Sequence, residues 1–270
     1  MITSSRARLG ALTLTGVLSL ALVTGCSGGS DGKPDAAPSS HAASSPADDG
    51  AAPGRALSEK ELAGLILAAD DVEGFTVTEP GEDDLFGGSF DDVKVEGGDG
   101  CDALAKVVSG STAGDAKAHV SRQATQERPE GAGEGDVPSL EDAMRLDVTM
   151  ITLATYDGDG AQQAVKSVAD AVESCADGFT VTLPGQDPAP YDTVAAEKGV
   201  TSEGADETVA FALTGASLEE GGPASSVHGQ AVRHGNNVVT YLTVNLGDMA
   251  DGKRYQVSAP VVAAQAEKLG

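Results

Sequence analysis

Three cysteines, four histidines and a large surplus of carboxylates are the groups in this sequence able to do chemistry, and their spacing limits what that chemistry is. His228 and His234 are an even number of residues apart, so an extended strand puts them on one face. About 19 Å of strand separates them at a rise of about 3.3 Å per residue, too far to share a metal ion. With His119 they are read as ordinary surface histidines. Asp157-Gly158-Asp159-Gly160 has the opening of a calcium loop, but Ala161 stands where the next ligand is needed, so it is read as a turn whose Asp159 caps the following helix. Glu82-Asp83-Asp84 and Asp91-Asp92 could gather a cation weakly, and a solvated loop explains them as well. Gly28-Gly29-Ser30-Asp31-Gly32 fits the spacing of a hydrolase nucleophile elbow, yet no strand precedes it and no helix follows. No aspartate or glutamate is marked as a general base. Accordingly no catalytic, cofactor or metal residue is assigned, and the chain is read as a non-enzyme.

The cysteines say more. Arg6 and Arg8 precede an apolar run over 9–23 that ends in Val23-Thr24-Gly25-Cys26. A basic start, a run shorter than the roughly 20 residues of a membrane span and a small-residue cleavage site describe a secretory signal. The ending resembles a lipobox, in which the thiol of Cys26 accepts diacylglycerol. This predicts a lipoprotein signal peptide over 1–25 and a chain held on the extracytoplasmic face of the cell membrane by acyl chains on Cys26, two or more of which are needed for stable anchoring. The alternative is an ordinary signal peptide with a chance cysteine. Residues 26–56 are Ser, Gly, Ala, Pro and Asp without aromatics, too poor in apolar surface to offset ordering entropy. They form an expected tether with a reach on the order of 30 Å.

The remaining residues, 57–270, are enough for one sizeable core. With Cys26 assigned to lipid, Cys101 and Cys175 are an even pair in an oxidising compartment, which reads as a disulfide; a pair of free thiols is the alternative. The formal charge is −25, with 42 acids against 17 bases, so a nucleic acid is excluded as a partner because phosphate binding needs clustered cations. Only 3% of residues are aromatic and Trp is absent, so the core must be built from Val, Leu and Ala.

Periodicity orders the elements. Ser58 and Glu61 form a capping box, with Leu57 stapled to Leu62, for a helix carrying Leu62, Leu65, Ile66 and Ala69. A strand is predicted over 75–78, a loop over 79–100, a short helix from Cys101 to near Gly110 and strands over 116–126 and 145–156. A helix with Ala161, Ala164, Val165, Val168, Val172 and Cys175 on one stripe follows, then strands over 179–183, 191–196 and 208–214. Strands over 227–233 and 238–246 flank His234-Gly235-Asn236-Asn237, a hairpin loop, and a last helix runs over 258–269 with Pro260 in its first turn. The expected class is α+β, an antiparallel β-sheet with helices packed on one face and a single disulfide.

The order of these elements, with Gly100-Cys101-Asp102-Ala103-Leu104, Cys175-Ala176-Asp177-Gly178-Phe179, Asp206-Glu207-Thr208-Val209-Ala210-Phe211 and Val232-Arg233-His234-Gly235-Asn236-Asn237-Val238-Val239, resembles the PknH-like extracellular domain of actinobacterial lipoproteins and sensor kinases. The resemblance implies an antiparallel sheet with packed helices, a cleft, and sensing or ligand binding without catalysis. It also supports the Cys101–Cys175 bridge. The chain departs from the family in lacking a second disulfide and in its few aromatics, so no cleft residue is carried over. No kinase domain is legible, so a signal would leave through a partner. The function expected is a membrane-anchored ligand-binding or sensor module of the cell envelope, for an unknown small ligand or envelope protein. The alternatives are an envelope hydrolase without a recognisable motif, which predicts a buried serine or carboxylate with a hydrogen-bonded base in a pocket, and a structural or lipid-carrying lipoprotein, which predicts a large apolar cavity.

Overall fold

The computed structural model describes residues 55–81, 93–128, 144–217 and 221–270. Cys26, the tether, Gly28 to Gly32 and the acids of 82–92 lie outside the described residues. The described elements are α1 (Glu59–Leu65), β1 (Phe75–Thr78), β2 (Lys94–Glu96), α2 (Asp102–Val108), β3 (Ala118–Gln126), β4 (Asp147–Thr155) and α3 (Gly160–Ser174), followed by β5 (Phe179–Thr182), β6 (Ala189–Glu197), β7 (Glu207–Ser217), β8 (Ala224–His234), β9 (Asn237–Asn245), α4 (Leu246–Ala250) and α5 (Ala259–Leu269). All nine strands join one sheet in the order β1-β3-β4-β9-β8-β7-β6-β5-β2, and every neighbouring pair is antiparallel. The class is α+β, as the residue pattern led us to expect. One segment read as loop contains a strand: β2 pairs with β5 at the sheet edge opposite β1. Three residues are too short a run to carry a period.

The helices, expected on one face, cover both. Along β4, Met150 and Ala154 join a core with α2 and α3, whereas Ile151 and Leu153 join a second core with α1 and α5. The same alternation divides Leu242 from Val239 and Tyr241 on β9, and Ala231 from Val232 on β8. A central strand buried on both faces has no polar side, so its sequence does not alternate. That is why the run from Val238 to Val244 is apolar or Thr throughout. Phe211 fills the first core from β7 and lies over Gly229 of β8, where a Cβ would stand 2.3 Å from its ring.

Cys101 caps the start of α2 and Cys175 the end of α3, and the two are joined in a disulfide with Cα atoms 5.8 Å apart. Both are fully buried. The bridge fastens α2 across the end of α3, so a short helix without a side-chain cap is held by covalent chemistry rather than by its own propensity.

Two local readings change. Helix α1 has its capping box but stops at Leu65 instead of running to Ala69. Gln265 of α5, wholly buried, accepts from Leu67 N at 3.1 Å and donates to Leu65 O at 2.8 Å. These bonds take the place of helical ones and turn the chain away. Asp159 sits at the cap position of α3, but its carboxylate takes the Gln163 amide at 2.7 Å instead of a backbone N–H. Asp157 receives Ala56 N at 3.1 Å, so the acidic turn anchors the start of the domain.

Replacing Cys101 and Cys175 together by Ser removes a loop closure worth about 4 kcal/mol in the chain-entropy account. The melting temperature should fall by about 10 °C for a domain of this size. A melt equal to that of the oxidised wild type would show that the bridge adds no stability.

Candidate functional site

Strand β1 pairs only with the second half of β3, from Gln123 to Gln126. The first half of β3, residues 118–122, has β4 on one side and no strand on the other among the described residues. A cleft of about 770 Å³ opens there, lined by Ser58, Glu59, Lys60 and Ala63 of the α1 region, Glu79 and Pro80 after β1, and His119, Val120, Ser121 and Arg122 of β3.

Each wall is held in place by identifiable bonds. Ser58 N donates to Glu61 Oε2 at 2.6 Å, and Glu61 N donates back to Ser58 Oγ at 3.3 Å. The Ser58 hydroxyl and backbone N–H, followed by Arg55, draw the Glu61 carboxyl down to about 2. Upstream, Leu57 N donates to Thr155 Oγ1 at 3.1 Å. The start of α1 is therefore fixed to β4, and its end to α5 through Gln265. On the opposite wall Arg122 donates from Nη1 to the Ser121 carbonyl at 2.8 Å and lies 3.5 Å from Glu79. Glu79 is 82% exposed, so that ion pair contributes little and yields readily to a competing group. Ser121 Oγ shares a hydrogen bond with Thr152 Oγ1 at 3.2 Å. Lys60 has no carboxylate within bonding distance among the described residues. The surface offered to a ligand is about evenly polar and apolar and of mixed charge, with Ala63, Pro80 and Val120 among its apolar part.

Of the three histidines among the described residues, His119 lines this cleft. The other two share the β8 face that parity assigned them, but in separate arrangements. His228 Nδ1 is 2.7 Å from Glu197 Oε2, and its ring meets Tyr255 edge-on at 4.4 Å. His234 Nε2 is 3.1 Å from Ser202 Oγ, and both residues are buried. Burial lowers the His234 pKa, against the opposing effects of Asp206 and a backbone hydrogen bond at Gly204.

A buried serine on a neutral imidazole is the pairing a hydrolase would need. Here Ser202 is only 7% exposed and does not line the cleft. Around it, Asp206 N donates to Arg233 O at 2.8 Å and Asp206 Oδ2 accepts from Gly235 N at 2.7 Å. The pair is one fastening of the segment after β6 onto the β8–β9 hairpin. Asn236, in the hairpin loop, is likewise engaged: its amide donates to Tyr156 O at 3.3 Å, and Tyr156 N donates to Asn236 O at 3.0 Å.

Sequence reasoning missed Gln230. Wholly buried on β8, it donates to Val200 O at 2.8 Å and accepts from Val200 N at 2.7 Å. A polar amide between His228 and Val232 in an apolar strand was the available signal. Among the described residues no three metal-ligating side chains cluster, and no helix is long and apolar enough to cross a membrane.

No family profile matches the chain. No curated protein matches it either. Among solved structures it is similar to the extracellular domain of PknH from Mycobacterium tuberculosis, with 16% sequence identity and a TM-score of 0.49 over 80% of this chain and 98% of that one.

The lowered His234 pKa fixes the sign of one pH effect. In the window below about 6.5 the unfolded imidazole takes up a proton before the folded one does, so stability falls with pH there. In a His234→Gln variant that part of the decline should vanish in urea melts between pH 7 and pH 5. An identical decline in wild type and variant would mean that His234 is not buried in its neutral form.

Proposed function

We propose that the chain is an extracytoplasmic lipoprotein, anchored through Cys26, whose domain over 57–270 binds a small polar ligand or an envelope component and does not catalyse a reaction. The observation that carries the binding part is the cleft between α1 and β3. Its walls are fixed and its lining mixes polar with apolar groups and carries both charges. The hydroxyl–carboxylate bond at its rim, Ser58 Oγ to Glu61 Oε2 at 2.6 Å, is the exposed cap of α1, and a carboxyl held down at about 2 is too weak a base to activate it. Fixed walls spare a ligand the cost of ordering them, and a weak exposed ion pair is easily exchanged for a bond to ligand. The lining does not suit a lipid carrier, for which a large apolar cavity is required. The anchoring part rests on the basic start, the apolar run and the small residues before Cys26.

The hydrolase reading has one specific observation in its favour, the Ser202–His234 hydrogen bond. It predicts covalent labelling by a fluorophosphonate. Our reading predicts none, because Ser202 Oγ is enclosed between the segment after β6 and the hairpin.

A thermal-shift series on the full chain with envelope sugars, amino acids and short peptides tests the binding site, since a ligand that prefers the native state raises its stability by mass action. Stabilisation by a ligand should be lost in the Lys60→Ala, Arg122→Ala double variant, whose unliganded melt stays within a few degrees of wild type. Stabilisation that survives the double substitution would place binding elsewhere. For the anchor, Cys26→Ser should move the chain from the membrane fraction to the soluble one. Retention in the membrane fraction would contradict lipid attachment at that residue.

A further inference from the structure

A second cavity, of about 480 Å³, is lined by Glu197 and Lys198 at the end of β6 and by Arg254, Tyr255 and Gln256 between α4 and α5. Two of these five residues are cations, in a chain where acids outnumber bases 42 to 17. Elsewhere Arg55, Arg122, Arg145 and Arg233 each hold a carboxylate within 4.0 Å. Neither Lys198 nor Arg254 holds one among the described residues. The single carboxylate on the wall, Glu197, is already engaged: its Oε2 is 2.7 Å from His228 Nδ1.

The backbone carrying these groups is fastened on both sides. Tyr255 donates its phenol proton to Ser226 O and packs its ring on His228. Immediately after Gln256, Val257 and Ser258 are buried, and Ser258 N donates to Thr243 Oγ1 at 3.2 Å. Arg254 and Gln256 therefore project from a fixed strip of chain, beside a fixed aromatic ring, toward a cavity that Lys198 borders from β6.

We infer that this cavity is a binding site for a small free anion bearing a carboxylate or phosphate group. A guanidinium meets either group with two parallel hydrogen bonds, an ammonium adds a point charge, and the Gln256 amide supplies a further donor. Charge screening favours a small anion over a polymer. At physiological ionic strength fields fade over about 8 Å, so a compact ligand feels Lys198 and Arg254, set against Glu197 and the Asp147 and Asp248 carboxylates that act on Tyr255, more than the chain's remaining acids. A long polyanion, or an anionic membrane surface, would meet the rest of a chain with formal charge −25 and be repelled. The site is separate from the cleft of α1 and β3 and stands whether or not that cleft binds.

The test is a titration of the isotope-labelled full chain, purified in detergent, with inorganic phosphate and with succinate, followed by backbone amide shifts. Saturable shifts should appear at Lys198 and from Arg254 to Gln256 with at least one of the two anions. The Lys198→Ala, Arg254→Ala double variant should weaken that binding by about tenfold or more, as expected when charged hydrogen bonds are lost. Both residues are exposed, so the variant should keep the wild-type melt. The Lys60→Ala, Arg122→Ala variant should bind both anions as wild type does, which separates this site from the cleft. Absence of saturation with either anion through the millimolar range would overturn the inference, and so would equal affinity in the Lys198, Arg254 variant. A third arm uses vesicles of anionic phospholipid: shifts at these residues with vesicles but with neither free anion would overturn it in favour of a head-group contact.

Discussion

The burial of β4, β9 and β8 on both faces is the constraint from which the rest of the structure follows. A nine-stranded sheet with apolar residues on both sides of its centre must be covered twice, and this chain does so with short helices. On one side α2 and α3 are joined by Cys101–Cys175. On the other, α1 and α5 come from the two ends of the described domain and are joined by Gln265. Coverage runs out toward the flanks of the sheet, and that is where the two cavities lie, one beside the half of β3 that β1 does not pair and the other where β6 ends.

Amides fasten what the helices do not cover. Gln265 and Gln230 each give one donor and one acceptor to the backbone of a segment that has left regular structure, at Leu65 to Leu67 and at Val200. A buried backbone group without a partner costs as much as a lost hydrogen bond, and a side-chain amide settles a donor and an acceptor at once. The same economy accounts for His234, which is held in its neutral form against Ser202. Groups that looked chemical in isolation turn out to be fastenings, and the groups left to meet solvent are the exposed charges bordering the two cavities.

Much of the fold was legible because its signals are local. The capping box at Ser58, the stripe from Ala161 to Cys175, the Gly235–Asn236 turn and the β-branched and apolar runs of the strands are short-range signals, and the structure has all of them. The cysteine pair was legible from parity and compartment. What was hidden depends on distant partners. The stop of α1 at Leu65 is decided by Gln265, far along the chain, and the two-sided packing is decided by which helix reaches which face. The cleft was hidden for the same reason: Lys60, Glu79 and Arg122 belong to three elements and share no motif. His228 and His234 share one face as their parity required, but both are buried rather than at the surface, because their partners Glu197 and Ser202 lie across the sheet or in irregular chain, beyond any spacing rule.

The central claim is that the cleft between α1 and β3 is a place of binding in the cell envelope. Peptide-resolved hydrogen exchange of the full chain, compared in buffer and in a small-molecule extract of envelope material, addresses it most directly, because a bound ligand slows local opening of the backbone it holds. The account predicts added protection at residues 58–63, 79–80 and 119–122, with the interior of the sheet unchanged. Exchange in the extract identical to buffer at those residues, with protection gained instead around Ser202 and His234, would contradict it.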